Sequence, residues 1–376
     1  TNQPVPPAAA APVPSPTNPP ASRRAFLTFA GAGAAFAVAG AAGGRKLHGR
    51  SSVESARQRL VLPASSVATS TAPDASGSLD GVAGITPFLT SAKSFYRIDT
   101  ALLVPQVAPD KWRLRITGLV DRDTTFTLDD ILAMPLVEQQ ITMSCVSNEV
   151  GGDLVGNASW RGVPLADLLA RAGVKPTATQ LIGESVDGFT AGFPVSAALD
   201  GRPAMVVVGM NGQPLPIEHG FPARLVVAGL YGYVSATKWL TELRLTTWED
   251  EQGYWIPRGW SRDGPIKTQT RIDVPHSGAK VPTGTVAVAG VAWAPTRGIA
   301  KVEVQVDDGP WQQADLATSG TPLTWTQWVY RWPATKGSHR LQVRATDGTG
   351  EVQPAQRRDP APSGATGHHT INVQVT

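Results

Sequence analysis

Glu138-Gln139-Gln140-Ile141-Thr142-Met143-Ser144-Cys145-Val146-Ser147-Asn148-Glu149-Val150-Gly151-Gly152-Asp153 reads as a strand that delivers a cysteine to a loop. Residues 138 to 144 run without Gly or Pro, and the residues after Cys145 gather Ser, Asn, Asp and two adjacent glycines, the composition of a turn. Binding and catalytic groups concentrate at such strand ends, and Gly151-Gly152 lets backbone pass close to a bound group. A lone cysteine is equally at home as a small buried hydrophobe. Spacing alone does not decide between the two. Cys145 is the chain's one cysteine, so neither an intrachain disulfide nor a CxxC metal pattern is available.

Outward from this stretch the same mixture continues. Trp112-Arg113-Leu114-Arg115-Ile116 alternates apolar with polar and Gly118 closes it, as in a half-buried strand. Thr127 stands as a cap before the short helix Leu128-Asp129-Asp130-Ile131-Leu132. Pro164 opens a second helix whose Leu165, Leu168 and Leu169 share a face and whose C-cap is Gly173. Residues 85–271 therefore predict an α+β domain. Within it, His219-Gly220-Phe221-Pro222-Ala223-Arg224 brackets a tight turn with an imidazole and a guanidinium, and Lys238 follows beyond a glycine loop. A planar guanidinium fork, a ring donor and a point charge together suit a phosphate-like anion.

Residues 272–376 change character. Runs at 285–289, 302–306, 325–332, 341–345 and 371–375 all alternate, and Asp307-Asp308-Gly309 is a hairpin turn, which predicts an all-β, immunoglobulin-like sandwich. Upstream, residues 1–22 hold eight prolines and no charge, a Pro-rich linker. Ser22-Arg23-Arg24-Ala25-Phe26-Leu27 precedes an Ala- and Gly-rich uncharged stretch, so 23–44 predict a twin-arginine-like signal or membrane anchor, with 45–84 a flexible linker. The chain opens on Thr1, and an upstream segment is expected. The composition, 41% hydrophobic and 17% charged in 376 residues, excludes a disordered chain and calls for more than one core. A net charge of +3 without a dense basic block excludes a nucleic-acid reader.

Thr142-Met143-Ser144-Cys145-Val146-Ser147-Asn148, then Trp160-Arg161-Gly162-Val163-Pro164-Leu165, then His219 to Arg224 and Lys238-Trp239-Leu240 resemble, in order and spacing, the molybdopterin domain of the sulfite oxidase family. Gly290-Val291-Ala292-Trp293, Arg297 and the run from Val302 to Trp311 resemble that family's immunoglobulin-like dimerisation domain. The resemblance covers residues 85–376. It implies a molybdenum–molybdopterin cofactor with Cys145 as the protein's thiolate ligand, and Asn148, His219, Arg224 and Lys238 at the pterin and its phosphate. It places Arg97 near the metal and Tyr254 on the substrate side. It further implies oxo transfer to or from a small-molecule substrate with Mo(VI)/Mo(IV) cycling, an unidentified electron-transfer partner, and a homodimer. No haem module is evident after residue 85. Because this cofactor is inserted in the cytoplasm, the twin arginines predict export of a folded domain to the outer face of the cell membrane.

The chain departs from the family at Ile98-Asp99, where Asn-His is usual, at Glu149, where a basic residue is usual, and at Thr370, where an arginine binds sulfite. These replacements predict weak binding of a dianion. Two other readings are a sulfoxide reductase of related fold and a cofactor-free, membrane-tethered binding protein. Retention of Cys145, His219, Arg224 and Lys238 together argues against the second.

Overall fold

The structure, a computed structural model, describes residues 53–66, 77–318 and 320–376. The expected segments 1–22 and 23–44 and part of 45–84 lie outside the described residues. Among the described residues no helix is long and apolar enough to cross a membrane.

Helix α1 (Val53–Arg59) opens the described chain. Strand β1 (Arg113–Gly118) buries Leu114 and Ile116 and exposes Arg113 and Arg115, the alternation its sequence requires. β2 (Thr124–Thr127) returns antiparallel to it. Thr127 then caps α2 (Leu128–Leu132): its hydroxyl accepts from the Asp130 N–H while the Asp130 carboxylate accepts from the Thr127 N–H. β3 (Val137–Ser144) and β4 (Val155–Pro164) pair antiparallel on either side of the cysteine loop. α3 (Leu165–Ala172) buries Leu165, Leu168, Leu169 and Ala172 and stops at Gly173, whose φ of 73° is open to glycine without strain. β5 (Gln180–Ser185), β6 (Thr190–Pro194), α4 (Ser196–Leu199), β7 (Ala204–Met210), β8 (Gln213–Pro214), β9 (Arg224–Val227), α5 (Gly232–Ser235) and β10 (Leu240–Thr246) complete this part.

The strands form two sheets, one in the order β2-β1-β10-β5-β6 and one in the order β3-β4-β7-β8 with β9 also on β7. Leu114, Ile116, Leu165, Leu168, Phe193, Leu225 and Leu243 share one core, and Ile141, Met143, Trp160, Val207 and Phe221 lie in a second. The helices run only 4 to 8 residues, so the region is more strongly sheet than the α+β expectation held. Turn residues cut the apolar runs before a longer helix can propagate.

β11 (Gln269–Val274), β12 (Lys280–Val281), β13 (Gly284–Trp293), β14 (Ile299–Val306), β15 (Gln312–Gln313), β16 (Asp315–Leu316), β17 (Thr326–Ala334), β18 (Gly337–Asp347) and β19 (His369–Val375) build two facing sheets, β11-β13-β17-β16 and β12-β19-β18-β14-β15. Val288, Trp328, Trp332, Val302, Leu341, Val343, Ile371 and Val373 fill the space between them. Trp325 instead joins the core of the first part, as do Val291 and Trp293. The backbone around Trp325 is also bonded to β3: the Thr142 N–H donates to the Leu323 carbonyl at 3.0 Å, and the Trp325 N–H to the Thr142 hydroxyl at 2.7 Å. The sandwich thus braces the strand that presents Cys145.

Candidate active site

The chain turns sharply after β3. The Cys145 N–H bonds the Leu154 carbonyl at 2.9 Å, the Asn148 N–H bonds the Cys145 carbonyl at 3.1 Å, and the Asn148 Oδ1 accepts from the Leu154 N–H at 2.8 Å. These bonds close the loop on itself. Asn148 is buried, and its Nδ2 has no hydrogen-bond partner among the described residues. The sandwich holds the far side of this loop. Arg271 donates to the Gly152 carbonyl at 2.7 Å, while its Nε pairs with Asp273 at 2.7 Å and its other nitrogen reaches Thr86 at 2.8 Å. His369, whose Nδ1 accepts the Ile272 N–H at 2.9 Å, lays its ring against Gly151.

At Gly151 φ is +80°, and a Cβ there would come within 2.3 Å of the His369 ring. Gly151→Ala should therefore destabilise the protein by roughly 2–4 kcal/mol, combining backbone strain with overpacking. Gly151→Ala with His369→Ala should recover about half of that, since only the clash is relieved. Thermal unfolding of the two variants measures this, and a fully stable Gly151→Ala single variant would show that the sandwich does not clamp the loop.

Cys145 opens onto a cleft. Burial pushes its thiol up, while the Val146 and Ser147 N–H groups and the Ser147 hydroxyl act in the opposite sense. Without a metal the sulfur is therefore a protonated thiol at neutral pH. Among the described residues no three His, Cys, Asp or Glu side chains gather to hold a bare ion. A metal bound through Cys145 has to bring its other ligands with it.

Three further predicted residues share the cleft wall with Cys145: His219, Arg224 and Lys238. His219 ends a 3₁₀ turn, Ile217–His219. Its Nε2 lies 2.8 Å from the Ala92 carbonyl, which can only accept, so Nε2 carries the proton. Burial lowers the ring's pKa and the imidazole is neutral at pH 7. Arg224 opens β9 and is 5% exposed. Among the described residues its guanidinium reaches only backbone carbonyls, those of His219 at 3.2 Å and of Leu225 and Ala236 at 3.4 Å, and the face of Trp160 at 5.2 Å. No carboxylate among the described residues pairs with it, and burial pulls its pKa down to about 10. A buried guanidinium without a counter-charge fits an anionic ligand. Lys238 Nζ sits 2.8 Å from Asp99 and 4.7 Å from the Trp239 ring, and burial lowers its pKa to about 8.

Arg97, Asn148 and Tyr254 do not line the cleft. Arg97 is half-exposed and bonds Asp99 at 2.9 Å. Tyr254 lies under the Arg258 guanidinium at 3.6 Å. Glu149 is exposed and off the wall, and Thr370 is exposed on β19, where it accepts from Gln342 at 3.0 Å. The carboxylates that do reach the cleft are Asp99 and Asp187. Sequence reading missed the aromatic residues of the wall, among them Tyr96, Phe189, Tyr233, Trp255 and Trp260. Gly253 and Gly259, which flank the 3₁₀ turn Ile256–Arg258, were the available signal that Trp255 and Trp260 occupy a tight loop.

The comparisons with known proteins agree with this geometry. Residues 101–255 match the model of the oxidoreductase molybdopterin binding domain. The mitochondrial sulfite oxidase of Drosophila melanogaster is 30% identical over 71% of this chain and 55% of its own length, and that of Homo sapiens is 29% identical over 67% and 55%. The chain thus spans about half the length of these curated relatives. The oxidoreductase YuiH of Bacillus subtilis is 34% identical over 41% of this chain and 74% of its own. The sulfane dehydrogenase SoxCD of Paracoccus pantotrophus shares the fold, with a TM-score of 0.67 over 78% of this chain and 85% of that one at 24% identity. With Cys145 and two buried cations on one cleft wall, the chain belongs to the sulfite oxidase family of molybdopterin-dependent oxidoreductases, and its cofactor is molybdenum–molybdopterin.

Proposed function

We propose that the cleft holds the molybdenum cofactor, with Arg224 and Lys238 at its phosphate and Cys145 as the protein's sulfur ligand, and that the protein transfers an oxygen atom between water and a small substrate. The observation that carries this reading is the buried, carboxylate-free Arg224 on the same wall as the thiol. When bound, the group supplies two-electron oxo transfer, in which an oxygen atom from water ends on the substrate while two protons and two electrons leave the site, or the same exchange runs in reverse.

Each chain residue then has a task. Cys145 releases its proton on ligation, and the N–H groups of Val146 and Ser147 favour the resulting thiolate. His219 spends its Nε2 proton on Ala92, so it remains a neutral, fixed wall beside the anion. Asp99 offsets one charge at Lys238 and sets that lysine's position. Trp239, Trp255 and Trp260 narrow the cleft and keep bulk water from the reacting atoms.

The electrons pass to or from a separate one-electron carrier, the further part of this reading. An immunoglobulin-like dimerisation role for the sandwich, and an extracytoplasmic location with tethering through residues 25–44, extend it. Of the sandwich tryptophans, Trp325, Trp328 and Trp332 are buried within the chain and Trp311 is only partly buried. An interface would therefore have to use Trp311 or other surface. Protein purified from a host that makes the cofactor should contain about one molybdenum per chain and release pterin fluorescence on denaturation. Metal-free and pterin-free protein from such a host would sink the proposal.

A further inference from the structure

The cleft wall carries little positive charge. Among the described residues, the lysine and arginine side chains that line it are Lys238 and Arg224, and Lys238 already faces Asp99 at 2.8 Å. His219 is neutral at pH 7. Arg97, between the wall residues Tyr96 and Ile98, is spent on the wall carboxylate Asp99 at 2.9 Å, and Arg258, two residues before Trp260, on the Tyr254 carbonyl at 2.6 Å with its guanidinium over that ring. If the cofactor's phosphate takes Arg224 and Lys238, as proposed above, no cation on the wall remains for a substrate. The second carboxylate of the wall, Asp187, sits exposed in the turn between β5 and β6, where its Oδ1 accepts the Phe189 N–H at 3.2 Å. No ion pair with it is formed among the described residues.

What the wall offers instead is aromatic surface. Phe189, Tyr254, Trp255, Trp260 and Tyr233 form a continuous arc, with centroid separations of 5.8, 5.1, 6.3 and 5.8 Å along it. All but Tyr254 line the cleft, and Trp255 and Trp260 are only partly buried, so part of each ring remains uncovered. Rings of this kind stack on a flat apolar ligand and gain little from a small, strongly hydrated oxyanion. Charge and surface agree in direction.

We propose that the cleft selects an uncharged, ring-bearing organic substrate over an oxyanion, with Trp255 and Trp260 as the stacking surface and Asp187 as the charge that turns anions away. This rests on the cofactor reading, because it requires Arg224 and Lys238 to be taken.

The test uses the full chain purified with its molybdenum content established first, and calorimetric titration with three probes. Methyl phenyl sulfoxide carries a ring and no charge, dimethyl sulfoxide lacks the ring, and benzenesulfinate keeps the ring but adds a negative charge at nearly the same size. The ring should tighten binding about tenfold over dimethyl sulfoxide, and the charge should weaken it about tenfold or more. Trp260→Ala should reduce the ring preference to about threefold or less. Asp187→Lys, a surface change that leaves the core intact, should narrow the gap between sulfoxide and sulfinate at least about threefold. Benzenesulfinate binding as tightly as methyl phenyl sulfoxide would overturn the proposal, and so would the absence of any preference among the three. Protein without molybdenum would instead overturn the cofactor reading on which the proposal stands.

Discussion

Arg224→Met should have opposite effects on two measurements: cofactor content falls more than about tenfold, and the cofactor-free protein melts several degrees higher. The guanidinium is buried, its carbonyl contacts are long at 3.2 to 3.4 Å, and no carboxylate among the described residues compensates its charge. Its pKa is pulled down to about 10, with burial the first cause. A shift of that size corresponds to a penalty on the order of 3 kcal/mol on the charged folded state. The sign follows from the direction. Because the folded pKa lies below the unfolded one, the penalty is present in full below about pH 10 and is relieved only as pH rises above it. Methionine fills much of the same space against Trp160 without the charge, so the cofactor-free protein gains stability. The phosphate meanwhile loses its planar, bidentate partner. Pterin fluorescence and molybdenum analysis read the first effect, and thermal unfolding of protein from a host lacking the cofactor reads the second. If Arg224→Met kept the cofactor, or lowered the melting temperature, the guanidinium would be a structural group.

Much of the scaffold was legible because its signals are local or periodic. Leu114 and Ile116 alternate with arginines, Thr127 and Asp130 cap each other three residues apart, and the sandwich strands repeat every second residue. The strand that leads to Cys145 was legible for the same reason, and the imidazole at 219 and the cations at 224 and 238 followed from their type and order. The errors fall where period gives no direction. Between Thr246 and Gln269 the chain has no strand, only the 3₁₀ turn Ile256–Arg258, so the sequence could not say which of Tyr254, Trp255 and Trp260 faces the cleft. Arg97 and Asp99 are two residues apart in irregular chain, and the ion pair between them leaves only the carboxylate on the wall. The Gly151 clamp was beyond local reading altogether, since Arg271 and His369 arrive from the two sheets of the sandwich, more than a hundred residues downstream. The departures at Asp99 and Glu149 both predict weak binding of a dianion, but the structure sets them apart. Asp99 lines the cleft, whereas Glu149 faces solvent.

Cys145→Ser separates the sulfur from the anion-binding pair. Turnover of whichever oxo substrate the wild type uses should fall by roughly 10³-fold, while pterin content stays within about twofold of wild type. Serine matches cysteine closely in shape, and at a 7% exposed position it can still accept from the N–H groups of Val146 and Ser147. The fold should therefore change by no more than about 1 kcal/mol. The hydroxyl, however, ionises far less readily than a thiol and is a hard ligand where a soft one is wanted, so it cannot supply the same charge to a high-valent metal. Pterin retention is a separate matter, because Arg224 and Lys238 come from β9 and from the residues just before β10, and neither touches the Val146–Asp153 loop through any hydrogen bond described above. Single-turnover kinetics together with pterin fluorescence on the same preparation distinguish the outcomes. A variant that keeps its turnover would remove Cys145 from the chemistry. A variant that loses pterin in parallel with activity would move the anchoring role from the cation pair to the sulfur, and the Arg224 prediction would then have to fail as well.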